Sequence, residues 1–164
     1  MKAKRKSYMV FMNVGTHASP TWEVIGRDNE DLSKEMNNNV NSFTNVLGET
    51  EVEITKGNRV ISVDPIKFRD DSSISSKLYD IYKNDLELSD VEHEFLEVNT
   101  TETVQGNSNA YGAFVQVGAI DLKSWGGDTS GLNTPFDINF KGEKTFGVFN
   151  PTTKVFTPED SASV

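Results

Sequence analysis

DDSSISSKLYDIYKNDLEL, Asp70 to Leu88, is the one stretch of this chain with a sustained helical period. Its apolar residues Ile74, Leu78, Ile81, Tyr82 and Leu86 fall at i, i+4, i+7, i+8 and i+12, a single stripe on a 3.6-residue helix. Asp70 and Asp71 put negative charge at its start, and Ser72 or Ser73 can cap the free amides. The spacing predicts a helix over about residues 72–88, about 24 Å long. A lone helix with one apolar stripe cannot build a bundle and needs a sheet to receive it. The rest of the chain reads as strand and loop. The expected class is therefore mainly β (α+β), with one flanking α-helix packed on β-structure.

With 164 residues the chain is read as a single domain, large enough for a real core. It has no cysteine, which excludes zinc thiolate sites, thiol catalysis and disulfide frameworks. No apolar run is long enough to cross a bilayer, and MKAKRK leads into the mixed pattern YMVFMNV, not into a signal-peptide hydrophobic region. The expectation is a soluble protein made in the cytoplasm, with no membrane partner. The formal charge is -9, and setting aside Lys2, Lys4, Arg5 and Lys6 leaves 12 basic against 25 acidic residues, a net of -13. A body of that sign repels phosphate backbones and disfavours a nucleic-acid groove, while leaving DNA free to pass along it. The basic leader (1–6) and the polar tail (158–164) are expected to be flexible.

In chain order, SYMVFMNV (Ser7–Val14) suits a buried strand, HASPT (His17–Thr21) breaks it, and Trp22–Gly26 gives a short strand. DNEDLSKEMNNNVNSFTNVLGETE, Asp28 to Glu51, follows neither period. It carries five asparagines between Asn37 and Asn45, yet Leu32, Met36, Val40, Phe43, Val46 and Leu47 are spaced along it. So long an irregular connection points to an assembly arm that docks on another subunit through those apolar residues, the alternative being a surface loop with a short helix over 31–36. Glu51–Thr55 and Arg59–Val63 read as a hairpin turning at Lys56, Gly57 and Asn58. After the helix, Val91–Val104 changes apolar phase between Phe95 and Leu96, the mark of a β-bulge or of a bend into a second sheet, and Ala110–Trp125 changes it at Gly118, where a second bulge is expected. Phe136–Phe140 alternates cleanly, Lys141–Lys144 reads as a turn into TFGVF, and Asn150-Pro151 turns the chain before Lys154–Thr157. That makes eight or nine strands and one helix.

No catalytic constellation emerges. His17 lies in a turn and His93 on a strand, without a neighbouring nucleophile or a metal-binding spacing. Asp28, Glu30 and Asp31 lack the glycine and terminal glutamate of a calcium loop. Gly126, Gly127 and Asp128 are followed by neither the lysine nor the helix that a phosphate cradle needs, so they read as a turn. The pairs Glu92/Glu94 and Glu51/Glu53 each share a strand face; two carboxylates could serve a glycosidase, but only in a cleft with one apolar wall, and a solvated acidic face is the simpler reading. The chain is expected to be no enzyme and to need no cofactor or metal.

From Trp22 to Thr157 the order of features resembles the major tail, or tail tube, protein of long-tailed bacteriophages with non-contractile tails. The matching parts are WEVIGRDNEDLSKEMN leading into a polar excursion that closes on NVLGET, the single helix after a Pro-containing strand, and the ending SWGGDTSGLNTPFDINFKGEKTFGVFNPTTKVFT. The resemblance implies an antiparallel β-sandwich or barrel with one flanking α-helix, and a virion structural protein whose hexameric rings stack head-to-tail into a tube. That tube surrounds the tape-measure protein during assembly, meets a tail terminator and the distal tail or baseplate proteins at its ends, and conducts phage DNA without binding it. In that setting Leu32, Met36, Val40, Phe43, Val46 and Leu47 are the candidate subunit-interface residues, and Glu51 and Glu53 the candidate channel-facing acids. A monomeric receptor- or carbohydrate-binding β-sandwich of a phage tail is the alternative.

Overall fold

The structure, a computed structural model, describes residues 1–159. In order it comprises β1 (Tyr8–Asn13), β2 (Trp22–Ile25), β3 (Lys34–Glu35), β4 (Asn39–Thr44), β5 (Thr50–Thr55), β6 (Val60–Val63), α1 (Ser73–Asn84), β7 (Glu92–Val104), β8 (Asn107–Leu122), β9 (Gly126–Asp128), β10 (Gly131–Asn133), β11 (Phe136–Asn150) and β12 (Val155–Pro158). One eight-stranded antiparallel sheet runs β2-β1-β7-β8-β11-β6-β3, with β12 also paired to β11. It curls into a half-barrel, and α1 packs on one face. The fold is thus mainly β with one flanking helix, as the helical stripe requires.

Both faces of the sheet carry a core. On the helix side Ile74, Leu78 and Ile81 meet Val10, Met12, Phe95, Ile120, Phe136 and Ile138; on the other, Phe11, Trp22, Leu96, Val98, Val115 and Phe149 form a second cluster. This double burial explains why β1 reads as a continuous apolar run: Val10 and Met12 belong to one core and Phe11 to the other. It also replaces one expected bulge. Phe95 and Leu96 change phase because each feeds a different core, while the pairing of β7 with β8 stays in register through both. Gly118 sits in register as well, opposite His93 and Phe140, and is a glycine for another reason. A Cβ there would stand 2.6 Å from Ile138 and 3.0 Å from the Phe95 ring, so the bare backbone lets two core side chains close over it. The irregularities fall elsewhere, between Asn99 and Val104 and between Lys141 and Thr145. Lys141–Lys144 is therefore a bulge inside the continuous strand β11, not a turn.

The helix is shorter than its stripe. Ser72 caps it, accepting from the Ser75 amide, and Glu23 from β2 accepts from the Ser72 hydroxyl (2.7 Å) and the Ile74 amide (3.1 Å). Asp85 adopts a left-handed conformation (φ 48°) and ends the helix there, so Leu86 reaches the core from the following turn and not from the helix itself. Among the described residues twelve strands form where eight or nine are expected, because the polar β3 and β4 and the Gly-rich β9 and β10 carry little apolar signal. In the basic leader, Arg5 opens a 3-10 turn and donates to the carbonyls of Tyr8 and Leu32, both at 2.6 Å. Of the polar tail, Pro158 closes β12 and the Glu159 amide donates to the Phe146 carbonyl; residues 160–164 lie outside the described residues. No helix among the described residues is long and apolar enough to cross a membrane.

Candidate functional site

Asp28 to Glu51 is neither an irregular arm nor a loop with a helix over 31–36. β4 pairs with β5 from Asn39↔Thr55 to Thr44↔Thr50, forming a two-stranded sheet separate from the main one. The expected hairpin between Glu51–Thr55 and Arg59–Val63 does not form; β6 pairs instead with β11 and β3. All twelve residues of β4 and β5 are exposed.

A stem holds this hairpin to the half-barrel. The Arg59 guanidinium donates to the Met36 carbonyl and to Asn38 Oδ1 (2.7 Å), and Asn37 Nδ2 donates to the Asn58 carbonyl (2.7 Å). The two chain segments cross so closely that a Cβ on Gly57 would fall 1.5 Å from the Asn37 carbonyl oxygen, and Asn37 itself is left-handed (φ 51°). The asparagine run thus builds the stem: asparagine tolerates the left-handed region and supplies amides to satisfy the crossing backbones. At the far end, Asn45 Oδ1 accepts from the Leu47 (2.9 Å) and Glu49 (3.0 Å) amides, and Gly48 takes the positive φ, so the tip is a defined turn.

The register assigns the hairpin its faces. Val40, Val52 and Ile54 share one; Phe43 lies on the other with Asn41, Glu51 and Glu53. Of the six candidate interface residues, Met36, Val40, Phe43, Val46 and Leu47 are exposed, the tip residues Val46 and Leu47 at 102% and 77%. Leu32 is the exception, half-buried against the helix-side core of its own chain. Val52 and Ile54 belong to the same exposed set and are absent from the sequence-derived one. Their alternation with Glu51 and Glu53 is the signal that could have found them. A two-stranded ribbon with apolar residues on both bare faces is marginal in water.

Where the arm leaves the half-barrel, Lys34 on β3 donates through Nζ to Glu97 Oε2 (2.8 Å), and the Tyr8 hydroxyl donates to Glu97 Oε1. Glu97 is 1% exposed, and the Lys34 ammonium lies 4.0 Å from the centre of the Phe140 ring. Burial, and after it the Glu97 charge, raises the Tyr8 phenol well above its ordinary range. Nothing in the local sequence marks this trio, which is assembled from β1, β3 and β7.

The other motifs are engaged structurally. Asp28 accepts from Arg69 (2.5 Å) and the Lys67 amide (2.9 Å), and Glu92 pairs with Lys141 (2.6 Å). Glu94 lies 3.0 Å from the exposed His17 ring. Burial, and then Lys77, lowers the His93 pKa. Gly126–Asp128 pairs with β10 as a small hairpin. No family model and no curated protein matches the chain.

Proposed function

We propose that the chain is a tail tube subunit of a long-tailed, non-contractile bacteriophage, a virion structural protein whose hexameric rings stack head-to-tail into the conduit for genome ejection. The observation that carries this reading is the hairpin Asn39–Thr55. It places Val40, Phe43, Val46, Leu47, Val52 and Ile54 in water, on a stem built to hold it away from the body. Burying one such side chain gains roughly 1.5–3 kcal/mol, so a partner surface covering even half of them supplies a sizeable interface term. The half-barrel supports the reading too: its edge strands β2, β3 and β12 are unpaired on their outer sides among the described residues, and edges of that kind are joints in a closed ring. A net charge of -9 suits a lumen through which DNA slides. Such a subunit would meet the tape-measure protein inside the tube and terminator and distal tail proteins at its ends, after assembly in the host cytoplasm. A sugar-binding β-sandwich has less to support it, because the Tyr82 and Trp125 rings stack on each other at 4.7 Å and 4°.

Negative-stain microscopy of the purified chain tests this reading. Hollow rings or tubes are expected. Excising Asn39–Thr55, whose ends are paired and can be bridged by Gly-Gly, should leave the half-barrel folded and abolish stacking. A monomer at every concentration and salt level, with glycan binding, would overturn the reading.

A further inference from the structure

The hairpin and its root carry opposite charge. On the Phe43 face the register sets Glu51 opposite Phe43 and Glu53 opposite Asn41, and neither acid has a cationic partner among the described residues. At the root the sign reverses. Lys56 follows β5 directly, Arg59 clamps the stem, and Lys144 of the β11 bulge lies 4.4 Å from the centre of the Phe114 ring. Lys34 beside them is neutralised by Glu97, but Lys56, Arg59 and Lys144 pair with no carboxylate among the described residues. Burial, and then the Lys34 charge, lowers the Lys144 pKa, with Lys56 and Arg59 adding to the effect and Glu97 opposing it. Lys144 and, at 5.5 Å, Lys34 lie over one ring of an aromatic pair: Phe146 is 55% exposed, with its ring 6.0 Å from Phe114.

One face of the arm is therefore an aromatic ring flanked by acids, and the root is an aromatic pair flanked by bases. Within one chain they stay apart. At about 3.3 Å per residue along β5, Glu53 and Glu51 lie roughly 10 and 17 Å from Lys56. Resting on the tube-subunit reading above, we infer that the root patch is the socket for the acidic face of a second copy's arm, Phe43 seating on Phe146 while Glu51 and Glu53 face Lys56 and Lys144. Donor and socket are different surfaces, so the contact is heterologous and propagates from copy to copy. Duplex DNA is the less suited occupant, because three cations in a chain of net charge -9 give little phosphate attraction.

Reciprocal charge reversal in the full-length chain tests the socket. E51K/E53K and K56E/K144E, each verified as folded by circular dichroism and an unchanged melting midpoint, should each raise the concentration for half-assembly about tenfold by sedimentation. An equimolar mixture of the two should recover assembly, since each variant's arm then matches the other's socket, and wild-type assembly should weaken with salt. Wild-type-like assembly of either variant alone overturns the socket while leaving the tube reading intact. So does a mixture that fails to recover, or duplex retention by the wild type that K56E/K144E abolishes. A wild type that never assembles overturns both.

Discussion

Replacing Lys34 with methionine isolates the energetics of Glu97, the one charged side chain that is buried among the described residues. Glu97 is 1% exposed and Lys34 14%, and the carboxylate has two partners, the ammonium at 2.8 Å and the Tyr8 hydroxyl. Methionine keeps most of the stem volume, and its thioether can lie against the Phe140 ring that the ammonium now faces at 4.0 Å. What is lost is the countercharge. A buried carboxylate left with a single neutral donor should cost about 3–5 kcal/mol. E97L alone should cost less, about 1–3 kcal/mol, since the Lys34 stem can carry its ammonium toward water and only the Tyr8 donor is stranded. The double variant K34M/E97L removes both charges and should lie within about 1.5 kcal/mol of wild type, giving a coupling energy of several kcal/mol. Urea unfolding followed by the fluorescence of Trp22 and Trp125 measures all four corners. A K34M variant that loses under about 1 kcal/mol would refute the reasoning, because the carboxylate would then have to be solvated or uncharged.

Tyr8 holds its proton more tightly in the folded chain than in the unfolded one, so its stabilisation is full below pH about 10 and is lost as pH rises beyond that; Y8F should flatten the alkaline limb of a stability–pH curve. His93 has the opposite sign: its folded pKa is lowered, so the stability present above pH about 6.5 declines as pH falls below it, and H93Q should remove that slope in urea titrations across the range. G118A drives a methyl into Ile138 and Phe95 and should cost about 1–3 kcal/mol in the same assay. N45A removes the acceptor for the Leu47 and Glu49 amides; hydrogen exchange at those two should accelerate while global stability changes by less than about 0.5 kcal/mol.

What was legible in the sequence was what one segment can say about itself. The α1 stripe announces both the helix and the sheet that must receive it, and the alternation of Phe136, Ile138 and Phe140 announces a strand with one buried face. Partner choice is not local. Val52 and Ile54 say strand, but nothing in Glu51–Thr55 says that it turns back on the polar Asn39–Thr44 and not forward onto Arg59–Val63. That choice is made by the crossing of Asn37 over Gly57 and by Arg59, contacts visible only in three dimensions. The phase changes near Phe95 and Gly118 are ambiguous for the same reason: a sheet cored on both faces and a bulged or bent sheet leave the same mark in one strand. The arm's apolar residues were recognisable by their excess over what a loop needs. Leu32 alone among them is claimed by the chain's own core, since the preceding loop folds back on Gly26 and not outward.

The bulge in β11 has a consequence for engineering. Between Lys141↔Val117 and Thr145↔Val115, β11 advances four residues while β8 advances two, and Gln116 holds the excess by donating from Nε2 to the Gly142 carbonyl (2.9 Å). The surplus is even, so Phe140 before it and Phe146 after it keep the same side of the sheet. A single residue inserted elsewhere in β11 would invert every side chain downstream. At Gly142 and Glu143, extra sequence can leave and rejoin the ladder without disturbing that parity. The position therefore tolerates added length as far as folding is concerned, while its closeness to Lys144 means that a bulky insertion would obstruct the inferred socket and block assembly.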